Sequence, residues 1–455
     1  MEKSQRRTVF VCTHCGKESP KWLGRCPECQ QWNTFVEQKA SPPSRRTPLD
    51  NPPQELSQIV SETRDRFALP TAEFNRVLGG GVVAGSLALI AGEPGIGKST
   101  LMLQISGQTA ASHGQVIYVS GEETVHQVKL RAQRLGIKGE QLYLLSESNL
   151  EAVLGYIEAM KPALVVIDSI QAVYRPDTDA SPGSVTQVRE CAQWLQAHAK
   201  QSQVPIFITG HVTKEGAIAG PRVLEHMVDV VLYLEGEPFS AYRLLRSVKN
   251  RFGSTNEVGV FEMKDKGLVE VTNPSKAFLS ERPAAAIGSA VVPTLEGSRP
   301  LLVEIQALTN PTSFGLPRRT ASGVDFNRLL LIAAVLSKRA GLKLGNQDII
   351  LNVIGGLKIS EPAADLGIAL AIASSYRDLP VDTALAAVGE VGLNGEIRAV
   401  SQPERRVAEA ARLGFKRCLI PHSRTRLKAP DGMELIPVAN VREAIQVGLV
   451  REKTR

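Results

Sequence analysis

The sequence predicts an α/β protein of several domains, with a parallel β-sheet in its central part. The 455 residues are enough for about three domains. Apolar runs of β type alternate with helical patterns between residues 67 and 272. Segments rich in proline and polar residues interrupt the chain at 41–66 and 273–285. We therefore expect a small module at residues 1–40, an α/β domain at 67–272 and a second α/β domain at 286–455.

The composition, with 43% hydrophobic and 22% charged residues, is that of an ordinary globular protein. The net charge of +7 is too small to identify a partner, but its distribution is uneven. The net charge is +3 over residues 1–66, −2 over 67–285 and +6 over 286–455. The N-terminus has no apolar stretch of signal-peptide type, and the run Leu329–Leu336 is too short to cross a bilayer. We expect a cytoplasmic protein with no membrane contact.

The N-terminal module contains two Cys-x2-Cys pairs separated by ten residues: Cys12, Cys15, Cys26 and Cys29. Each pair can direct two thiolates at one ion, and two pairs complete the tetrahedron that zinc prefers. The N-terminal module is too short to bury a sufficient core. Zinc would therefore supply its folding free energy, on the order of 10–16 kcal/mol. We expect Trp22 and Trp32 to pack on this metal core, and Cys191 and Cys418 to be inert buried thiols.

The central domain begins with a phosphate-binding motif, because residues 92–100 read GEPGIGKST and match G-x-x-x-x-G-K-[ST]. A predicted strand precedes the motif and a predicted helix follows it, so that backbone N–H groups can surround an anion. Lys98 would reach the β- and γ-phosphates and the Ser99 hydroxyl would bind Mg2+. ATP is the expected nucleotide, and the residues expected to bind it are Gly92, Glu93, Pro94, Gly95, Ile96, Gly97, Lys98, Ser99 and Thr100.

ATP hydrolysis also needs an acid for the magnesium ion and a group that activates water. Asp168 ends the apolar run ALVVID and is suited to hold the ion directly or through water. Glu122 and Glu123 follow the predicted strand VIYVS; we favour Glu122 as the catalytic group, although the sequence hardly separates the two. His211 follows PIFITG and is placed to sense the γ-phosphate, although a purely structural histidine is a common alternative.

A third signature is the pentapeptide KNRFG at residues 249–253. With the cysteine cluster and the GEPGIGKST loop, it resembles the RadA (Sms) family of bacterial DNA repair proteins, over essentially the whole chain. The resemblance implies a RecA-like P-loop ATPase core, related to that of DnaB-type helicases, in a ring that is expected to be hexameric. It also implies that Lys249 and Arg251 of one subunit act on the γ-phosphate bound by the next, where an arginine finger can raise the rate by roughly 10³–10⁵.

The C-terminal block resembles the proteolytic domain of Lon proteases without its catalytic residues. The Lon serine aligns with Asp365 and the Lon lysine with Glu404. Neither carboxylate can replace a hydroxyl nucleophile or an amine base, so we expect a non-proteolytic domain. Basic residues of a loop before Val230 and of this block are candidate DNA contacts, although solvated surface charge explains any one of them equally well. They are Lys214, Arg222, Arg318, Arg319, Arg424, Arg426 and Lys428.

These features together predict a DNA-dependent ATPase and translocase that processes recombination intermediates in DNA repair. The expected cofactors are ATP, Mg2+ and Zn2+, and the expected partners are single-stranded or branched DNA, a recombinase or repair protein, and further copies of the chain. The zinc module could bind DNA, a recombinase or a neighbouring subunit. One alternative is an ATP-switched scaffold. Another is an ATP-dependent protease, although the replacement of the Lon dyad argues against it.

Overall fold

The computed structural model of the chain describes residues 8–39, 55–58, 66–211, 221–236, 240–279, 283, 286–313, 315–422 and 427–450. Contacts divide the chain into two compact units. The first comprises Met1–Glu235, Leu245–Thr255 and Lys264–Val269, and the second comprises Gly236–Leu244, Asn256–Met263 and Glu270–Arg455. None of the helices in the described ranges is both long and apolar enough to span a bilayer.

The described part of the N-terminal module is a three-stranded antiparallel sheet with β1 in the middle. Its strands are β1 (Thr8–Cys12), β2 (Glu18–Ser19) and β3 (Phe35–Lys39). Cys12, Cys26 and Phe35 form its buried centre. Trp22 and Trp32 are 52% and 68% exposed, so the expectation that they cover the metal core is wrong. Phe35 of β3 takes that position instead.

A parallel sheet forms the centre of the first unit, in the strand order β11-β6-β10-β9-β7-β8. The strands β6 and β7 are buried along their whole length, which explains their continuous apolar sequences. β12 lies beside β11. The strands between residues 66 and 270 are β4 (Arg66–Phe67), β5 (Val82–Val83), β6 (Leu87–Gly92), β7 (Val116–Ser120), β8 (Leu142–Ser146), β9 (Leu164–Asp168), β10 (Ile206–His211), β11 (Val230–Glu235), β12 (Tyr242–Asn250), β13 (Val258–Lys264) and β14 (Gly267–Glu270). The strands β4 and β5 pair separately, and β13 lies mainly in the second unit.

Three helices of this unit begin where the side chain of Thr124, Asn149 or Ser184 caps a free N–H group. Thr124 forms a capping box with Gln127, so the helix after it begins at Val125. A short helix also occupies part of the region before Val230 that was expected to be a loop. The helices are α1 (Ala72–Leu78), α2 (Lys98–His113), α3 (Val125–Arg134), α4 (Leu150–Met160), α5 (Val185–Ser202) and α6 (Pro221–Glu225).

In the second unit, the described residues form a seven-stranded mixed sheet in the order β17-β18-β16-β15-β19-β22-β23. Its strands are β15 (Ser289–Glu296), β16 (Arg299–Pro311), β17 (Arg319–Ser322), β18 (Gln347–Val353), β19 (Leu385–Ala387), β22 (Arg417–Pro421) and β23 (Glu434–Val438), while β20 (Glu390–Val391) and β21 (Ile397–Arg398) pair separately. The helices are α7 (Pro274–Leu279), α8 (Phe326–Arg339), α9 (Asp365–Arg377), α10 (Pro403–Arg412) and α11 (Val441–Gly448).

The helix α9 lies close against β15 because Gly367 has no side chain. A Cβ atom at this position would come within 2.1 Å of Val292 Cγ2. The core around this contact contains the apolar faces of α8 and α9 and the inner faces of β15 and β16. The apolar run Leu301–Leu308 is therefore the centre of the strand β16, which is buried against these helices.

A buried ion pair fixes α10 in the second unit. The Arg406 side chain is fully buried, and its Nη1 and Nη2 atoms lie 2.6 Å and 2.5 Å from the two carboxylate oxygens of Glu361. The Thr294 hydroxyl donates to the same carboxylate at 2.6 Å. Burial by itself would raise the pKa of Glu361, but these hydrogen bonds outweigh it and the pKa is lowered. The pair is therefore ionised and satisfied inside the unit.

Candidate nucleotide site and zinc centre

The GEPGIGKST segment forms the turn between β6 and α2 at the carboxyl edge of the parallel sheet. Gly97 is the N-cap of α2 with φ of 112°, a conformation that favours glycine. A Cβ atom on Gly92 would lie 2.5 Å from the Leu234 carbonyl oxygen, so this position has no room for a side chain. The first turn of α2 has no acidic residue, which leaves its N–H groups available to an anion.

Lys98 lies beneath this turn and is 4% exposed. Its Nζ atom donates to the carbonyl oxygens of Gly92 and Glu93 at 2.8 Å and 2.9 Å. Burial lowers the pKa of Lys98, while the carboxylates of Asp168 and Glu122 act in the opposite direction. The structure therefore brings together the predicted phosphate-binding lysine and two of the predicted acids, while Ser99 and Thr100 follow Lys98 in the first turn of α2.

Asp168 is the last residue of β9 and is held from both neighbouring strands. The Tyr118 hydroxyl of β7 donates to its Oδ2 atom, and the Thr209 hydroxyl of β10 donates to its Oδ1 atom, both at 2.6 Å. Burial and the adjacent Asp168 raise the pKa of Tyr118 well above its usual range, so its phenol remains a donor. The Asp168 carboxylate is thus oriented at the strand end, as a metal-binding acid requires.

The two glutamates after β7 differ in their surroundings. The Ser169 hydroxyl donates to Glu122 Oε1 at 2.6 Å. Glu123 instead forms an ion pair with Arg131 of α3. The carboxylate of Glu123 is therefore neutralised by a basic side chain of its own subunit, whereas that of Glu122 contributes to the field at Lys98. This difference favours Glu122, the residue that we preferred from the sequence.

His211 is the last residue of β10, opposite Gly92 in the parallel register. The backbone therefore places it at the same edge of the sheet as the phosphate-binding turn. Its side chain lies outside the described residues, as does that of Arg222 in α6. Lys214, Arg424 and Arg426 lie outside the described residues altogether.

The KNRFG segment begins in β12, which ends at Asn250, so Lys249 lies on the strand and Arg251 lies just beyond it. Both basic groups face residues 225–229. The Lys249 Nζ atom donates to the Glu225 carbonyl oxygen at 2.7 Å. Burial and the charge of Arg251 lower the pKa of Lys249.

Arg251 forms an ion pair with a buried carboxylate. Its Nη1 atom lies 3.0 Å from Oδ1 of Asp229, which is 3% exposed. The Leu87 N–H donates to the other carboxylate oxygen at 3.1 Å. The Arg251 side chain nevertheless remains 49% exposed, so one side of its guanidinium group is open to a further anion.

The four sulfur atoms of the cysteine cluster have the spacing of a tetrahedral zinc site. The Sγ atoms of Cys12 and Cys29 lie 3.6 Å apart, those of Cys15 and Cys26 lie 3.5 Å apart, and all four lie within 4.8 Å of one another. A zinc ion with sulfur ligands at about 2.3 Å implies sulfur separations of about 3.8 Å. The N–H of Gly16 bonds to the Cys12 carbonyl oxygen at 2.9 Å and closes the turn around the first pair. These residues fit a zinc ion.

The residues that align with the Lon dyad have other partners or surroundings. Asp365 is 1% exposed, forms an ion pair with Arg328 and accepts the Val391 N–H at 3.0 Å. The hydrogen bond to Asp365 raises the pKa of Arg328. Glu404 is exposed in the first turn of α10. These two positions therefore supply neither a hydroxyl nucleophile nor an amine base.

Three candidate DNA contacts of the second unit lie in its described residues and differ in exposure. The Arg319 guanidinium donates to the carbonyl oxygens of Leu344 and Gln347, and burial lowers its pKa. Arg318 is exposed and its backbone N–H donates to Asp348. Lys428 is also exposed. Arg318 and Lys428 are thus better placed than Arg319 to meet a partner.

The sequence reasoning missed four polar residues that support the site: Tyr118, Ser169, Thr209 and Asp229. Each is buried at or near the end of an apolar strand. Polar groups in such positions require hydrogen-bond partners, so an isolated polar residue in an apolar run is a signal that could have found them.

Comparisons with known protein families find matches for three segments of the chain. Residues 10–37 match the rubredoxin metal binding domain family, 51–217 the AAA domain family and 311–424 the family of subunit ChlI of Mg-chelatase. The chain is 54% identical over 455 residues to DNA repair protein RadA of Bacillus subtilis strain 168, which covers 98% of this chain and 99% of the relative.

The same degree of similarity occurs with a second relative. DNA repair protein RadA of Listeria monocytogenes is 54% identical over 462 residues, with 99% of this chain and all of the relative aligned. A solved KaiC-like protein from Pyrococcus horikoshii OT3 covers 45% of this chain and 98% of its own, at 20% identity and a TM-score of 0.38. The predicted fold class is confirmed: a P-loop AAA core, a four-cysteine zinc ribbon and a C-terminal α/β domain of ChlI/Lon type.

Proposed function

Because the chain belongs to the RadA family of DNA repair proteins, we propose that it is a DNA-stimulated ATPase that moves along DNA and branch-migrates recombination intermediates. The family and the P-loop AAA domain support an ATPase role in DNA repair. The observation that carries the catalytic part of the proposal is the meeting of Lys98, Asp168 and Glu122 at the phosphate-binding edge of the sheet.

Each of these residues has a distinct role in the proposed hydrolysis. Lys98 binds the β- and γ-phosphates, and its hydrogen bonds to the Gly92 and Glu93 carbonyl oxygens keep it at the turn. Ser99 and Asp168 would hold a Mg2+ ion, which would supply neutralisation of negative charge on the phosphates. Glu122 orients the attacking water and accepts its proton.

We propose that the site is completed by a second copy of the chain. Arg251 has an exposed guanidinium face, and the buried Asp229 holds this side chain at the end of β12. An exposed, preorganised arginine can stabilise the charge of the γ-phosphate bound by a neighbouring subunit, with Lys249 beside it. Such a head-to-tail arrangement closes into a ring, and we expect a hexamer.

The DNA contacts are proposed to come from both units. Lys214 and Arg222 belong to the segment that follows β10, next to the nucleotide edge in the sequence. In the second unit Arg318 and Lys428 are exposed, whereas Arg319 is held by carbonyl groups of its own unit and is expected to contribute less. Contacts with phosphates would make DNA binding weaken steeply as salt concentration rises. The zinc ribbon is a further contact module, for DNA, a recombinase or a neighbouring subunit.

The experiment that tests this function compares ATP turnover without DNA, with single-stranded DNA and with a branched junction, at two salt concentrations. We expect severalfold stimulation by DNA, loss of this stimulation at high salt, and ATP-dependent movement of the branch point. Turnover that is unaffected by DNA, together with DNA binding that is absent at low salt, would contradict the motor and favour an ATP-switched scaffold.

The same preparation tests the protease alternative. We expect no ATP-dependent cleavage of an unfolded protein substrate, because Asp365 is bound to Arg328 and Glu404 provides no amine base. Cleavage that persists in an Asp365→Ala variant would show a peptidase site elsewhere in the chain. Cleavage that disappears in that variant would show that Asp365 takes part in proteolysis, contrary to the expectation of a non-proteolytic domain.

A further inference from the structure

Ser169, the residue after Asp168, has a buried hydroxyl that reaches the carboxylate of Glu122. Ser169 is 1% exposed, and its Oγ atom lies 2.6 Å from Glu122 Oε1. At this distance the hydroxyl donates a hydrogen bond to the Glu122 side chain. Two consecutive residues at the end of β9 thus serve two parts of the site: Asp168 faces the metal position and Ser169 contacts Glu122.

We infer that Ser169 is a positioning residue for Glu122 and fixes the carboxylate that activates water. The inference deepens the proposed function and rests on the assignment of Glu122 as the catalytic group. Glu122 itself is exposed and lies in the loop between β7 and α3. An exposed glutamate has several accessible rotamers, so a donor that is itself immobile can select one of them.

The backbone around Ser169 is rigid enough for this role. The Ile170 N–H donates to the Thr209 carbonyl oxygen at 3.0 Å, and the Ala172 N–H donates to the Ser169 carbonyl oxygen at 3.1 Å. The facing loop is equally constrained, because a Cβ atom on Gly121 would lie 2.5 Å from the Cβ atom of Ala172. The loop that contains Glu122 therefore packs directly on the turn that contains Ser169.

The neighbouring strand end provides a matched control. Ser120 is 4% exposed and ends β7, which pairs with β9 so that Ser120 lies opposite Asp168. Its hydroxyl accepts the Glu123 N–H at 3.0 Å and so supports the loop backbone. Ser120→Ala removes a buried hydroxyl from the same edge of the sheet while the donor to the Glu122 carboxylate remains.

The experiment measures kcat and KM for ATP, with single-stranded DNA present, in full-length Ser169→Ala, Ser169→Thr and Ser120→Ala. A misplaced reacting group lowers the rate by about 10- to 100-fold, so we expect this loss of kcat in Ser169→Ala with KM nearly unchanged. Ser169→Thr retains a hydroxyl and should recover most of kcat. Ser120→Ala should stay within about twofold of the wild type.

A double-mutant cycle with Glu122→Gln separates the positioning role from a structural one. Ser169→Ala should cause no further loss in the Glu122→Gln background, because the two changes remove the same function. An equal additional loss in that background would overturn the inference, as would a wild-type kcat in Ser169→Ala. Wild-type turnover in Glu122→Gln alone would instead refute the catalytic assignment on which the inference rests.

Discussion

Arg251→Ala tests the proposal that each nucleotide site is completed by a neighbouring subunit. In the structure the Arg251 guanidinium is paired with Asp229 at 3.0 Å and is about half exposed. Its removal has two separate consequences. The neighbour's γ-phosphate would lose its cation, and the Asp229 carboxylate, which is 3% exposed, would lose its charged partner.

The two effects have different expected magnitudes. Loss of an arginine finger lowers the rate of hydrolysis by roughly 10³- to 10⁵-fold. Loss of a charged partner to a buried carboxylate costs about 1–2 kcal/mol of unfolding free energy, since Arg251 itself is half solvated and the Leu87 N–H still donates to Asp229. An Asp229→Asn change in the same chain should recover the stability, because an amide needs no cation, but not the rate.

The assay mixes two inactive variants, Arg251→Ala and Lys98→Ala, and follows DNA-stimulated ATP hydrolysis. Sites formed by the intact Lys98 of one variant and the intact Arg251 of the other should regain turnover. With random assembly of equal amounts, roughly one interface in four is of this kind, so we expect up to about a quarter of wild-type activity.

A mixture that stays inactive, although the variants assemble together, would refute the reasoning and indicate that Arg251 acts within its own chain. Full hydrolysis by Arg251→Ala alone would refute it more directly. A thermal unfolding curve of each variant shows whether a loss of rate reflects a loss of folded protein.

Three further changes test other parts of the molecule. Lys98→Ala should lower ATP hydrolysis by on the order of 10²-fold or more without lowering the thermal unfolding midpoint, since burial of its ammonium is itself unfavourable; a folded variant with normal turnover would contradict its role. Glu361→Gln leaves the Arg406 cation buried beside a neutral group and should lower the free energy of unfolding, measured with denaturant, by about 3–5 kcal/mol. Glu404→Gln, at an exposed position of α10, the helix that contains Arg406, should change the free energy of unfolding by less than about 0.5 kcal/mol. Chelation should release one zinc ion per chain, which metal analysis measures, and should unfold residues 8–39, which tryptophan fluorescence detects. A chain that binds no zinc would contradict the proposed zinc centre.

The parts of the site that could be predicted from sequence are those built from residues close together in the chain. The phosphate-binding turn has its lysine and glycines within nine residues, and each cysteine pair lies within four. The acid at the end of an apolar strand could also be predicted, because all parallel strands end at one edge of the sheet. Glu122 could be preferred over Glu123 but not separated from it, since the distinction depends on which one meets Arg131.

The partners of these groups could not be predicted, because they come from distant parts of the chain. Tyr118 and Thr209 meet at Asp168 across three strands whose register no local pattern specifies. Trp22 and Trp32 illustrate a related error, because both were expected to pack on the metal core and both are exposed.

The sequence by itself determined the α/β class, the zinc ligands, the nucleotide-binding turn and the replacement of the Lon dyad, since each depends on residue type and short spacing along the backbone. Only the tertiary structure decided that Asp229 holds Arg251 and that Ser169 contacts Glu122. These contacts are set by strand order and register, through which side chains 22 to 47 residues apart come within hydrogen-bond distance. Such distances depend on the packing of whole elements, which a local pattern of residues does not contain.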